Sequence, residues 1–78
     1  MKIGEAIKLA MKNKKITQTE LAEMVGVKSQ SVIAERLKMD NISINTVLDM
    51  LEAIGYDLII QEKSDYDNSN SQFIISRQ

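Results

Sequence analysis

The stretch TQTELAEMVGVKSQSVIAERL, residues 17–37, leaves the backbone few options. Thr17 followed three residues later by Glu20 is a capping box. The Thr hydroxyl accepts from the Glu amide while the Glu carboxylate accepts from the Thr amide. Ile16, just before the cap, is placed to staple onto Leu21. Leu21, Ala22 and Val25 then share one face of a short helix, and Gly26 stands where a helix ends on a positive φ. Ser29 reads as the N-cap of a third helix that runs to Lys38. Its inward residues are Ile33 and Leu37, four apart, with Val32 and Arg36 flanking them. Gln30, Ser31, Ala34 and Glu35 are left on the exposed side. Two brief helices are thus separated by only Gly26-Val27-Lys28. Ala22 is small enough to let them cross closely, and Val27 plugs the corner between them.

The flanking segments supply the remaining layers. Over residues 2–13, Ile3, Ile7, Ala10 and Met11 fall at helical spacing, with Glu5, Lys8 and Lys12 opposite. Asn13-Lys14-Lys15 ends that helix with cations where a helix C-terminus favours them. A fourth helix over residues 43–54 carries Ile44, Val47, Leu48, Leu51 and Ile54 as a wide apolar stripe, and Gly55 closes it. After Gly55 the period changes. Residues 56–61 (YDLIIQ) are short, apolar and β-branched, and read as a strand. Residues 63–71 (KSDYDNSNS) read as polar linker. Residues 72–76 are a candidate second strand, with two alternatives: folding back on the domain, or disorder. Leu58, Ile59 and Ile60 either cover the domain's own core or meet a partner. The five Met residues are read as core or semi-core packing.

With 78 residues there is room for one small domain and one core. There is no Cys, hence no disulfide framework and no thiolate metal site, and no His, the commonest metal ligand and general base. No Gly-rich phosphate loop and no acid pair at catalytic spacing is present, so the chain is not expected to be an enzyme, and no cofactor is expected. No apolar run approaches the roughly 20 residues that span a bilayer, and the opening MKIGEAIKLAMKNKK mixes charges into its apolar positions unlike a secretory leader. A cytoplasmic protein is expected. The net charge of −1 hides a split. Residues 1–38 hold eight cations and four acids, or +4, while residues 39–78 hold Lys63 and Arg77 against seven acids, or −5. That division points to a polyanion partner for the first half.

Two short helices joined by a tight glycine turn form a helix-turn-helix, whose second helix is shaped to enter the major groove of B-DNA. Thr17-Gln18-x-x-Leu21-Ala22, then Val25-Gly26-Val27, then Gln30-Ser31-x-Ile33 resembles the phage Cro and repressor type of helix-turn-helix regulators. The segment Leu51-Glu52-Ala53-Ile54-Gly55-Tyr56 is similar to the end of the last helix in many small members. The resemblance covers residues 3–60. It implies a mainly α fold: a compact four- to five-helix, lambda-repressor-like helix-turn-helix domain with a short C-terminal strand or hairpin. It also implies double-stranded DNA as the partner. Gln18 matches the position that grips a phosphate at the start of the second helix, with Thr19 beside it. A helix N-terminus is an anion site on physical grounds alone. Gln30 and Ser31 match the tip of the recognition helix, where Gln can read adenine in bidentate fashion. Ala34 and Glu35 match the next turn, for a thymine methyl and a cytosine amine. Lys28, Ser29 and Lys38 are the further phosphate candidates, with Lys14 or Lys15 after them.

The chain departs from the family pattern in three places. The turn before the third helix is one residue longer than in some members, which would slide the contact set by one position. Arg36 stands where small residues are usual, free to reach a phosphate or pair with an acid. The contact face is poor in Arg, which leaves either weak discrimination or readout of DNA shape. Outside the helix-turn-helix context Gln30 and Ser31 would be plain solvated surface. Even inside it, Glu35 fits a solvated charge beside Arg36 better than a base contact.

One copy covers too few base pairs for useful specificity. A homodimer is therefore expected, acting on a pseudo-palindromic operator, most simply as a repressor. Residues 1–55 would be the DNA-binding unit and residues 56–78 the dimerising element. Tyr56, Leu58, Ile59 and Ile60 would pair strand to strand across the two-fold, and Phe73 and Ile75 would add outer strands. The alternative is an antitoxin-like module that holds a protein partner through residues 64–78 and autoregulates through the same DNA-binding domain.

Overall fold

The computed structural model describes residues 1–63 and 72–77. Four helices come first: α1 (Ile3–Lys14), α2 (Gln18–Val25), α3 (Gln30–Lys38) and α4 (Ile44–Ile54). Two strands follow, β1 (Leu58–Gln61) and β2 (Gln72–Ile75). The helix positions agree with the expected ones to within one or two residues. The expected linker over residues 63–71 lies outside the described residues from position 64 onward.

Each helix sends one side chain to the centre. Ile7, Leu21, Ile33 and Met50 are the largest fully buried side chains, one from each of α1 to α4. Ala10, Met11, Ala22, Leu37, Val47, Leu51 and Ile54 close around them. Two expectations about the core need correction. Ile44 is 55% exposed, because it opens α4 one turn ahead of the residues that meet the other helices, and Met50 supplies the buried face instead. Of the five Met residues only Met11 and Met50 are core; Met1, Met24 and Met39 are exposed.

The helices turn sharply. α2 ends on Gly26 at φ 77 and α4 on Gly55 at φ 91, both left-handed as expected of those glycines. α1 ends on Lys15 at φ 57, a conformation reached without glycine and held by its amide bonding back to Lys12 and Met11. Ser29 has the extended backbone of an N-cap but its side chain makes no capping bond; its hydroxyl lies 2.8 Å from that of Ser31 instead.

The close approach in the bundle is at Gly4, a position the apolar pattern does not single out. Gly4 is buried, and a Cβ built there would fall far inside contact distance of the Leu37 carbonyl oxygen. The missing side chain lets the start of α1 lie directly on the end of α3.

The strands pair with each other. β1 and β2 are antiparallel, with Leu58 opposite Ile75, Ile59 opposite Ile74, Ile60 opposite Phe73 and Gln61 opposite Gln72. The strand expected over residues 56–61 is one arm of an intrachain hairpin, one of the two forms expected of the C-terminal element, and it begins at Leu58, with Tyr56 drawn to α1. The Tyr56 hydroxyl accepts from Asn13 Nδ2 at 3.2 Å, and Lys14 Nζ stands 5.9 Å from its ring centroid. Directly opposed residues share a sheet face. Leu58 seats one face on the helical core, with the half-buried Ile75 opposite it. Ile60 and Phe73 continue that face outward and are 57% and 63% exposed. Arg77 anchors the end of β2 to α4 through Asp49 at 3.0 Å.

Gly4→Ala is expected to lower stability by about 1–3 kcal/mol, the usual cost of forcing an extra methyl into close packing. Lys8→Ala, on the exposed side of the same helix, should leave the urea midpoint unchanged. Equal midpoints for the two variants would show that α1 and α3 are not held by this contact.

Candidate nucleic-acid interface

The polar end of the bundle is built on the start of α2. Both halves of the capping box are present: Glu20 N donates to Thr17 Oγ1 at 3.1 Å, and Thr17 N donates to Glu20 Oε1 at 2.9 Å. The first helical bond runs from Leu21 N to Thr17 O at 2.9 Å. The amides of Gln18 and Thr19 precede it and point out along the axis, where the positive end of the helix dipole favours an anion. The Thr17 amide, then its hydroxyl, stabilise the Glu20 carboxylate and hold its pKa below the ordinary value.

The turn brings α3 alongside. Gly26 N bonds Glu23 O at 3.3 Å and Val27 N bonds Ala22 O at 3.0 Å, which folds the chain back on α2. Val27 is half-buried against the core, as its place in the corner requires. Ile33 and Leu37 then fasten α3 from beneath, with 0% and 5% of their surface exposed.

One bond joins the two helix starts. Gln30 Nε2 donates to Gln18 Oε1 at 2.8 Å across twelve positions of sequence. A bond of this kind leaves Gln30 one N–H and its carbonyl oxygen, the donor and acceptor pair that an adenine edge takes. It also fixes a side chain that would otherwise sample many rotamers. Sequence patterning singled out each glutamine and missed their pairing, since nothing in spacing alone reveals a contact between two helices.

The other candidates are placed as follows. Lys28, Ser29, Ser31, Glu35 and Lys38 are exposed along the turn and the outer side of α3, and Thr19 is exposed at the start of α2. Gln18 and Ala34 are half-buried. The Ser31 hydroxyl is engaged with that of Ser29. Arg36 is half-buried and forms no ion pair among the described residues. Two cations of the basic half have local partners. Lys2 Nζ is 2.9 Å from Asp40 Oδ1, an exposed pair that contributes little to stability, and Lys14 is turned toward Tyr56. Lys28 and Lys38 stand exposed beside α3 with no ion pair among the described residues. Among the described residues no group of three or more potential metal ligands is present, and no helix is long and apolar enough to cross a membrane.

A family model described as helix-turn-helix matches residues 7–60, well over half of the chain. The match runs from the middle of α1 through most of β1, and β2 lies beyond it. No curated protein and no solved structure matches the chain.

The capping box carries a pH dependence of known sign. Folding lowers the Glu20 pKa, so its stabilisation is complete above the ordinary glutamate pKa of about 4.3. It fades as pH falls through the lower, folded value. Glu20→Gln keeps a hydrogen-bond acceptor without the charge, and its stability relative to the native chain should rise on acidification across that window. A constant difference between pH 6 and pH 3, about the range that brackets the titration, would exclude this linkage.

Proposed function

Since the chain belongs to the helix-turn-helix family of Cro- and C1-type DNA-binding transcriptional regulators, we propose that it is a repressor that binds a pseudo-palindromic operator as a homodimer. The observation that carries this reading is the Gln18–Gln30 bond at the exposed start of α3. It holds a base-reading amide next to a phosphate-binding helix start, so that one rigid unit serves both registration and readout.

In this reading Gln30 and Ser31 meet base edges, with Ala34 and Glu35 one turn further along the groove. The half-exposure of Ala34 suits it to no more than a methyl contact. Gln18, Thr19, Lys28, Ser29 and Lys38 meet phosphates, and the guanidinium of Arg36, in no ion pair among the described residues, joins them at the flank.

Residues 1–55 are the DNA-binding unit and residues 56–78 the dimerising one. Antiparallel pairing of β1 with β1 of a second copy explains the hairpin's outward continuation. A groove of about 300 Å³ lies beside β1, lined among others by Ile3, Ala6, Leu9, Tyr56 and Leu58. A two-fold through the paired β1 edges lays the second copy's Ile60 over that groove, with Phe73 behind it and Ile59 on the opposite side of the strand. Leu58 and Ile75 remain the foot on which each hairpin stands. The same two-fold sets two recognition helices on one side of the sheet, to meet half-sites roughly 34–36 Å apart. The antitoxin-like alternative through residues 64–78 draws less support, because residues 72–75 are already paired with β1 of their own chain.

Binding-site selection from random duplexes, followed by footprinting, tests the reading. Gln30→Ala should relax preference at one base pair of each half-site by about 1–3 kcal/mol. Lys28→Ala should weaken all sequences alike and reduce the salt slope by about 1. Equal losses on selected and random DNA for both variants would remove Gln30 as a reader. Ile60→Asp, at an exposed position, should sediment as a monomer with unchanged helicity; a persistent dimer would move the interface away from the hairpin.

A further inference from the structure

An open cleft of about 600 Å³ runs between α4 and the root of the hairpin. Its floor is aliphatic: Leu48 and Leu51 come from α4, Leu58 from β1 and Ile75 from β2. That volume lies within the roughly 300–1,000 Å³ of small-molecule sites, which set an apolar lining beside a few polar groups that select the ligand.

The charges on the rim do not balance. Glu52, in the last turn of α4, and Asp57, just before β1, both line the cleft and are exposed. Neither forms an ion pair among the described residues. Arg77 is the one cation of the lining among those residues, and its Nε lies 3.0 Å from Asp49 Oδ1, so its charge is already matched. Lys14 is drawn to the ring of Tyr56 and is not part of the lining. Two carboxylates are therefore left above a hydrocarbon floor. An anion would meet like charge there with no free cation to offset it. A neutral apolar molecule would cover the carboxylates without giving them a partner. A molecule with a compact positive charge and a short hydrocarbon body satisfies both parts of the cleft at once.

We propose that this cleft is a binding site for a small lipophilic cation, an alkylammonium or quaternary ammonium compound, that wedges between α4 and β2 and holds the hairpin on its seat. The Arg77–Asp49 pair that ties the end of the hairpin to α4 is exposed and contributes little by itself. A ligand that touches α4 and β2 together binds only while the hairpin is seated, and so stabilises that arrangement by mass action, whether the chain is monomeric or dimeric. Leu51, Tyr56, Asp57 and Leu58 line both this cleft and the groove beside β1, so the two hollows share a wall. Occupancy of one is thereby felt at the other.

Titration of the full chain with hexyltrimethylammonium, followed by methyl NMR and thermal unfolding, tests this, with hexanol and hexanoate as the neutral and anionic matches. The cation should shift the methyl signals of Leu48 and Ile75, raise the unfolding midpoint, and bind about tenfold or more tightly than hexanol. In a variant with Glu52→Gln and Asp57→Asn the cation should lose that advantage while hexanol binds as before. Both positions are exposed, so the fold is kept, and unchanged helicity verifies it. Should the variant fail to fold, the order of the three probes on the native chain still decides. Equal affinities for all three overturn the selection by charge. Leu48 and Ile75 signals that stay in place overturn the site, as does a response centred on Ala6 and Leu9 in the groove beside β1. Cation binding that survives both substitutions overturns the roles of Glu52 and Asp57.

Discussion

The carbonyl oxygen of Leu37 lies so close to Gly4 that no side chain fits between them. That approach sets the end of α3 against α1, the Gly26–Val27 turn sets its start against α2, and the Gln18–Gln30 bond ties the side chains of the two helix starts together. Between the two, Ile33 and Leu37 hold the underside of the helix in the core. A helix of nine residues is too short to persist alone in water. Its outward side is usable as a rigid probe only because both ends and the underside are fixed. The rest of the bundle serves this arrangement: α1 carries the glycine, α2 carries the glutamine, and α4 fills the space beneath with Val47, Met50, Leu51 and Ile54.

Much of this was legible in the residue pattern, for local reasons. The Thr17–Glu20 box, the left-handed Gly26 and Gly55, and the inward Leu21, Ile33 and Leu37 each depend on neighbours within one or two turns. The failures have a common cause. Gly4 reads as an ordinary helical residue until α3 is placed against it. Ile44 fits the apolar stripe of α4 and yet lies beyond the reach of the other helices. Tyr56 belongs by composition to the strand and is held instead by Asn13 and Lys14. For Gly4 and Tyr56 the deciding partner is dozens of positions away, for Ile44 it is missing, and spacing along one element carries no information about either.

The hairpin shows the same limit from the other side. Short apolar runs after Gly55 announce strands, but not what they pair with. β2 joins β1 in the same chain, which halves the exposed edge and leaves the apolar faces as the unbalanced feature. Charge behaves similarly. The excess of cations in the first half is real, but Lys2 and Lys14 are turned to Asp40 and Tyr56, and the cations left beside α3 are few.

The glutamine bridge also constrains how such a protein changes its target. Replacing Gln30 alone strands the carbonyl of Gln18 beside a foreign side chain, and replacing Gln18 alone frees Gln30 to wander. A lineage that shifts to a new operator is therefore expected to cross by coupled exchange at both sites. Among descendants of one ancestor, positions 18 and 30 should drift together, even though the proposed reading gives one to the backbone of the nucleic acid and the other to its letters.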